Sequence, residues 1–138
     1  MPYEITTNDP GVVGAAVEKA VSALFITTMT RAWENLITAP SHGGTPVDTG
    51  FASASWILSI SEPSDEVGGS KENVDLGPSD RGVTALMNYK ITYGAVFLVN
   101  NTDYIVELNY GSSPQARTGF VERAYEEAIE FGQRQNYL

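Results

Sequence analysis

The sequence predicts an α+β domain in which a long N-terminal helix and a C-terminal helix pack on a small, mainly antiparallel sheet. Three observations carry this reading. Apolar or small residues recur at spacings of three and four through Val13, Val17, Ala20, Val21, Leu24, Thr28, Ala32, Trp33 and Leu36, the period of one helical face. Ala54, Trp56, Leu58 and Ile60 alternate with Ser55, Ile57, Ser59 and Ser61, the period of a half-buried strand. From Phe120 to Gln135 the spacing is helical again, with Val121, Ala124, Tyr125 and Ala128 as the apolar face.

In chain order, Asn8-Asp9-Pro10 supplies a side-chain oxygen at a cap position and a proline just inside, a helix start. Ala39-Pro40 should end that helix, since a residue before proline is pushed out of the helical region. At 1.5 Å per residue it would be roughly 40–45 Å long, more than a small core needs. Its β-branched middle, Val21 to Thr30, is where a kink would form. Ser41-His42-Gly43-Gly44 is a connection, and a strand is predicted over Ala54–Ile60. Residues 61–79 are rich in Gly, Ser, Pro and acids without a sustained period. They are expected to form a loop that is mobile or ordered by a partner.

The stretch Asp80 to Ile91 fits two templates. Val83, Leu86, Met87 and Lys90 suit a helix capped by Ser79, whereas Val83, Ala85, Met87, Tyr89 and Ile91 suit a strand. A second strand is predicted over Ala95–Asn100, followed by turn chemistry at Asn100-Asn101-Thr102-Asp103. Tyr104, Ile105 and Leu108 before Gly111 read as a short helix with a glycine C-cap. In the last helix Glu122, Glu126 and Glu130 stand at spacing four, where like charges repel by a few tenths of a kcal/mol. The tail from Arg134 is expected to fray.

Composition narrows the chemistry. The 138 residues make one domain by size. With no cysteine and one histidine, thiol chemistry, disulfides and most zinc sites are excluded. A net charge of −9, with eight scattered basic residues, argues against a phosphate-neutralising surface. No secretion signal is read in the first nine residues, and no run of about 20 apolar residues marks a membrane span. No cofactor is expected.

The triplet Asp48-Thr49-Gly50 also carries the catalytic carboxylate of aspartic proteases, so Asp48 is weighed as a catalyst. Pro46 would interrupt the apolar strand such a site needs, and Phe51 follows the triplet where a small residue is required. A rigid corner accounts better for these residues: Pro46 fixes φ, Asp48 or Thr49 caps the turn, and Gly50 takes a conformation other residues avoid. Within this corner, Asp48 is taken as the cap. His42 reads as a loop residue, since a metal site would need a second ligand of its kind. Asp65, Glu66, Glu72 and Asp75 lack the spacing of a calcium loop. Gly43-Gly44 and Gly68-Gly69 lack the Lys-Ser/Thr of a phosphate loop. Asn100-Asn101-Thr102 satisfies a glycosylation sequon but is read as a turn. The Glu122, Glu126, Glu130 stripe, with Glu127 beside it, is read as a solvated face or a surface that repels polyanions.

Thr45-Pro46-Val47-Asp48-Thr49-Gly50, a few residues, then Ala54-Ser55-Trp56 resembles the signature of bacteriophage tail-completion and minor tail components, families that include the lambdoid minor tail protein Z. The resemblance continues downstream. Val96-Phe97-Leu98-Val99-Asn100-Asn101 is similar to the strand and its turn, and Tyr104 to the aromatic after it. Tyr110-Gly111-Ser112, Gln115-Ala116 and Gly119-Phe120-Val121 follow in the same order. The chain departs from the pattern at Asn109, where Glu is expected, at Arg117, where Pro is expected, and at Arg123, one place late. The resemblance covers Thr45 to Trp56 and Val96 to Arg123, and the two blocks occur in the same order.

This resemblance implies a non-enzymatic virion protein at the head–tail interface, made in the host cytoplasm and typically assembled as a sixfold ring. Its partners would be copies of itself, the tail tube and the head-connector proteins. DNA would pass through the ring without specific binding, and no membrane is involved. It also favours a helix over Asp80 to Tyr89. Glu122, Glu126 and Glu130 are then expected to line the channel, with the 61–79 loop ordered against a neighbour. A head–tail connector docking on the portal side is the alternative, and a protease using Asp48 the remote one.

Overall fold

The computed structural model describes residues 10–137, with side chains from Gly14 onward. The expected cap at Asn8-Asp9 lies outside the described residues, as does the side chain of Val13. Helix α1 (Pro10–Ile37) runs for 28 residues, about 42 Å at the standard rise. It passes through Val21 to Thr30 without interruption. Beyond it Pro40–His42 forms one 3-10 turn, closed by Gly43 at φ +93°. Gly44 then lies so close to the Thr38 carbonyl that a β-carbon there would overlap it, so the chain can fold straight back under the helix end.

The return is fixed by Thr45, whose backbone N–H and hydroxyl both donate to the Leu36 carbonyl, at 2.9 and 2.7 Å. One of the carbonyls left open at a helix C-terminus is thereby satisfied. The strand expected from Ala54 begins later. Gly50, at φ +89°, turns the chain into a one-turn helix α2 (Phe51–Ala54), and strand β1 (Trp56–Ile60) follows. The Ser55 hydroxyl, donating to Phe51 O, holds that turn. Nor is β1 half-buried at its start: Ile57 is as buried as Trp56 and Leu58.

Strand β2 (Val96–Asn100) pairs antiparallel with β1, from Trp56 opposite Asn100 to Ile60 opposite Val96. Among the described residues these are the two strands of an α+β fold in which both long helices pack on the sheet. On the α1 side of the sheet, Trp56 joins Leu36, Phe120 and Ala124, while Leu58 joins Leu86 and Tyr89. Trp33 and Leu98 touch both clusters and make them one core.

The ambiguous stretch resolves as helix α3 (Gly77–Leu86), then a single 3-10 turn over Ile91–Tyr93. Residues 77–79 thus belong to α3 and not to the preceding loop. Ser79 does not cap it; its hydroxyl points into the core and donates to Trp56 O. A β-carbon on Gly82 would overlap the Leu58 carbonyl, so this glycine sets how closely α3 approaches β1. The rest of the loop is tied to its own chain. Gly69 bridges Val74, Gly68 N–H donates to the Ser55 hydroxyl, and Asn101 Nδ2 donates to Ser64 O and Glu66 O.

Helix α4 (Ile105–Asn109) is followed by Gly111 at φ +96°, the expected left-handed end. Helix α5 (Phe120–Arg134) runs antiparallel to α1, with Asn35 bonded to Ala124 O, Arg31 to Glu127, and Gly132 against Thr28. Its buried face is Phe120, Ala124, Ala128 and Gly132, which corrects the expected one: Tyr125 is 55% exposed. A row of small residues at spacing four lets two helices approach closely, so size decided the face where hydrophobicity favoured Tyr125. After α5, Tyr137 returns to donate its hydroxyl to Gly132 O.

Among the described residues the buried polar side chains are Ser22, Thr45, Ser55, Ser79 and Thr102, all hydroxyls. Each of the first four relays an N–H to a carbonyl. Trp56 Nε1 donates to Thr45, and Trp33 Nε1 to Ser79, each at 2.8 Å. Ser22 takes the Ile91 N–H and donates to Glu18 O. A hydroxyl can accept and donate at once, so both indoles sit in the core with their N–H groups satisfied.

Candidate functional site

The residues singled out in the sequence converge where α2, α4 and the 110–119 loop meet. Pro46 is buried and Val47 is half-exposed beside it. The Gln115 side-chain amide clamps Val47 from both sides. Its Nε2 donates to Val47 O at 2.8 Å, and its Oε1 accepts the Val47 N–H at 2.9 Å. A two-bond amide clamp fixes position and plane together, replacing the partner that Val47 would have in a sheet. Two segments 68 residues apart are thus bonded, the side chain of one to the backbone of the other.

Thr49 makes the turn's side-chain contact, accepting the Phe51 N–H at 3.3 Å. The expectation that Asp48 is the cap is therefore corrected; Asp48 is exposed on the rim, and the shorter reach of Thr49 to the second residue on suits it better. Gly50 takes the left-handed conformation that the corner requires. Phe51 packs on Tyr104 with ring centroids 6.4 Å apart. Asn100 reaches from the end of β2 to donate to Ala52 O, while its Oδ1 accepts Thr102 N–H and hydroxyl. Lys71 Nζ lies 4.6 Å from the Tyr104 ring centroid. Burial first, then the charges of Asp103 and Asp48, pushes the Tyr104 hydroxyl above its ordinary pKa. Between these groups lies a cleft of about 80 Å3 that Pro46, Thr49, Tyr104 and Gln115 help to line, room for a side-chain tip or a few waters.

Not all the predicted residues gather there. Trp56 is core. Asn101 holds the 61–76 loop instead. Tyr110 is 74% exposed beyond α4. Gly111 and Gly119 frame the loop between α4 and α5, Gly119 at φ +81° with its N–H on Asn109 O at 2.7 Å.

The acidic stripe divides by role. Glu126 and Glu130 are exposed. Glu122 accepts two 2.9 Å bonds from Asn109 Nδ2, which hold its carboxyl below the usual range. Glu127 turns the other way to Arg31, and that hydrogen bond is the main cause of its own depressed pKa. Arg123 spends its guanidinium on Thr118 O and Arg117 O, closing the 111–119 loop. Among the described residues no group of three His, Asp or Glu side chains is placed to hold a metal ion. No described helix is long and apolar enough to cross a membrane. The sequence marks Thr45 only as the start of the corner and Asn109 only as a departure from the resembled pattern; their bonds to Trp56 and to Val121 and Glu122 leave no sequence period. Compared with protein-family models, with characterised proteins and with solved structures, the chain gives no match.

Proposed function

We propose that this protein is a structural virion component of a tailed double-stranded DNA bacteriophage, a tail-completion subunit that forms a ring around the DNA channel at the head–tail neck. One observation supports it above the others. The two sequence blocks that resemble tail-completion proteins, far apart in the chain, pack on each other through residues that carry the resemblance, Gln115 on Val47, with Tyr104 also against Phe51 just after the corner. A fold that spends its motif residues on a rigid corner, around a cleft too small for most metabolites, suits assembly better than turnover.

The charge agrees with that role. A chain of net charge −9 with exposed carboxylates along α5 repels phosphates, and a conduit must let a polyanion slide without holding it. In this reading Glu126 and Glu130, with Glu122, face the channel. The test is native mass measurement and electron microscopy of the purified protein, alone and mixed with tail tubes. Rings closing tube ends are expected. A protein that stays monomeric and leaves tube ends bare overturns the reading, and rings seated at the portal would move it to the connector class.

A further inference from the structure

The first half of α1 and residues 87–92 enclose a groove of about 590 Å3, with Ala15, Ala23, Ile26 and Met87 in its lining. Lys19 and Lys90 also line it and are exposed, with Glu18 as the one acid among its lining residues. Most other cations are engaged within the chain: Arg31 on Glu127, Arg81 on Glu66, Lys71 on Tyr104, and Arg123 on backbone carbonyls. The groove therefore combines an apolar floor with positive charge in a molecule that is strongly negative.

One surface of the same chain has the complementary character. The Gly69–Val74 bridge closes a hairpin that exposes Glu72 and Asp75 beside Val74 and Leu76, the latter 59% exposed. Lys71 in that hairpin is turned back onto Tyr104, so the outward charge is acidic. The hairpin cannot reach its own groove. Gly68 is anchored on Ser55, next to Trp56 and the Leu36 end of α1, whereas the groove begins at Ala15 and ends at Ile26. From Leu36 back to the groove's middle at Ser22 is about 21 Å along the helix.

We infer that the groove receives the 69–76 hairpin of a second copy, Leu76 and Val74 on the apolar floor and Glu72 against Lys19 and Lys90. The contact joins two different surfaces, so it repeats head to tail and closes into a ring when the rotation between copies allows. The inference rests on the ring reading above and names the contact that would build the ring.

Charge reversal tests it. Lys19→Glu/Lys90→Glu makes groove and hairpin both acidic; Glu72→Lys sets a lysine of the hairpin against Lys19 and Lys90. Each variant alone should associate at least about ten-fold more weakly than wild type, because like charges would face each other at the contact. A one-to-one mixture should restore assembly, since each groove then meets a hairpin of opposite charge and the copies alternate. Native mass is read with and without tail tubes, after circular dichroism matches wild type. Should a reversal disturb folding, Lys19→Gln/Lys90→Gln against wild type gives the same comparison, with weaker association expected. Wild-type rings that persist in both variants overturn this contact while leaving the ring reading intact, and so does a mixture that fails to recover. A wild type that never associates overturns both.

Discussion

The side-chain oxygen of Asn109 accepts the N–H of Val121 at 2.9 Å, so the second residue of α5 is capped from another helix, twelve residues upstream. The Asn109 amide nitrogen at the same time holds Glu122, the third residue of α5. The pair works as a reciprocal cap whose two halves come from different helices. Asn109→Ala should cost about 1 kcal/mol in denaturant unfolding. Its pH signature is distinctive. Glu122 is depressed in the folded state, so its contribution is present above the unfolded pKa and lost as pH falls through the folded one. The stability gap between wild type and Asn109→Ala should narrow on acidification through the carboxylate range.

A second pH-sensitive pair sits on the outer side of the α1–α5 seam. Arg31 meets Glu127 through Nε and Nη2, each 2.6 Å from Oε1, and lies over the Phe131 ring at 4.3 Å. Both side chains are more than a third exposed, which keeps the pair at about 0.5–1 kcal/mol. Arg31→Lys should lose most of that, because an ammonium cannot present the same planar fork or stack on Phe131. A double-mutant cycle with Glu127→Gln measures the coupling.

Thr45→Val keeps shape and removes the hydroxyl between Trp56 Nε1 and Leu36 O. The indole N–H is then buried without a partner, a loss of about 1–3 kcal/mol. Adding Trp56→Phe removes the orphaned donor, so the double variant should lose less than the sum of the two single changes. Additive losses in thermal unfolding would refute the relay.

Two glycines should respond differently to alanine. Gly82→Ala drives a β-carbon into the Leu58 backbone, which has no rotamer to yield, and should cost about 1–3 kcal/mol despite the better helix former. Gly132→Ala meets chiefly the Thr28 side chain, so Thr28→Ala should rescue it. Unfolding midpoints of the three variants decide the matter.

Glu126→Gln/Glu130→Gln should slow genome release, or leave DNA held in the neck, if these carboxylates keep the channel repulsive. The pair is tested before Glu122→Gln, which also disturbs the α5 cap. Ejection timed by dye uptake reads the effect, and unchanged release with another surface lining the channel would sink the assignment.

The sequence displayed what periodicity can display. The three-and-four spacing announced α1 and α5, and the alternation from Ala54 to Ile60 announced β1, two residues early. It misplaced what depends on distance. Tyr125 satisfied a helical period, yet Ala124, Ala128 and Gly132 form the seam because only small side chains let α1 come close. The sequence points to Asp48 as the cap, because its chemistry suits one as well as that of Thr49, and the turn's geometry selects Thr49. Ser79 had the chemistry of a cap, but an indole 46 residues away claimed it. Within the candidate site, Val47 and Gln115 could be marked separately, and their bond is a property of tertiary structure alone.

The seam between α1 and α5 joins the first described helix to the last. During synthesis α1 leaves the ribosome with Leu36 uncovered; Trp56 arrives first, and Phe120 and Ala124 complete the cover only once α5 has been made. Chains that stop before α5 would leave that face of α1 partly exposed and fall to proteases or chaperones. Only chains that carry α5 would then persist in the folded state, a quality check built into the order of synthesis.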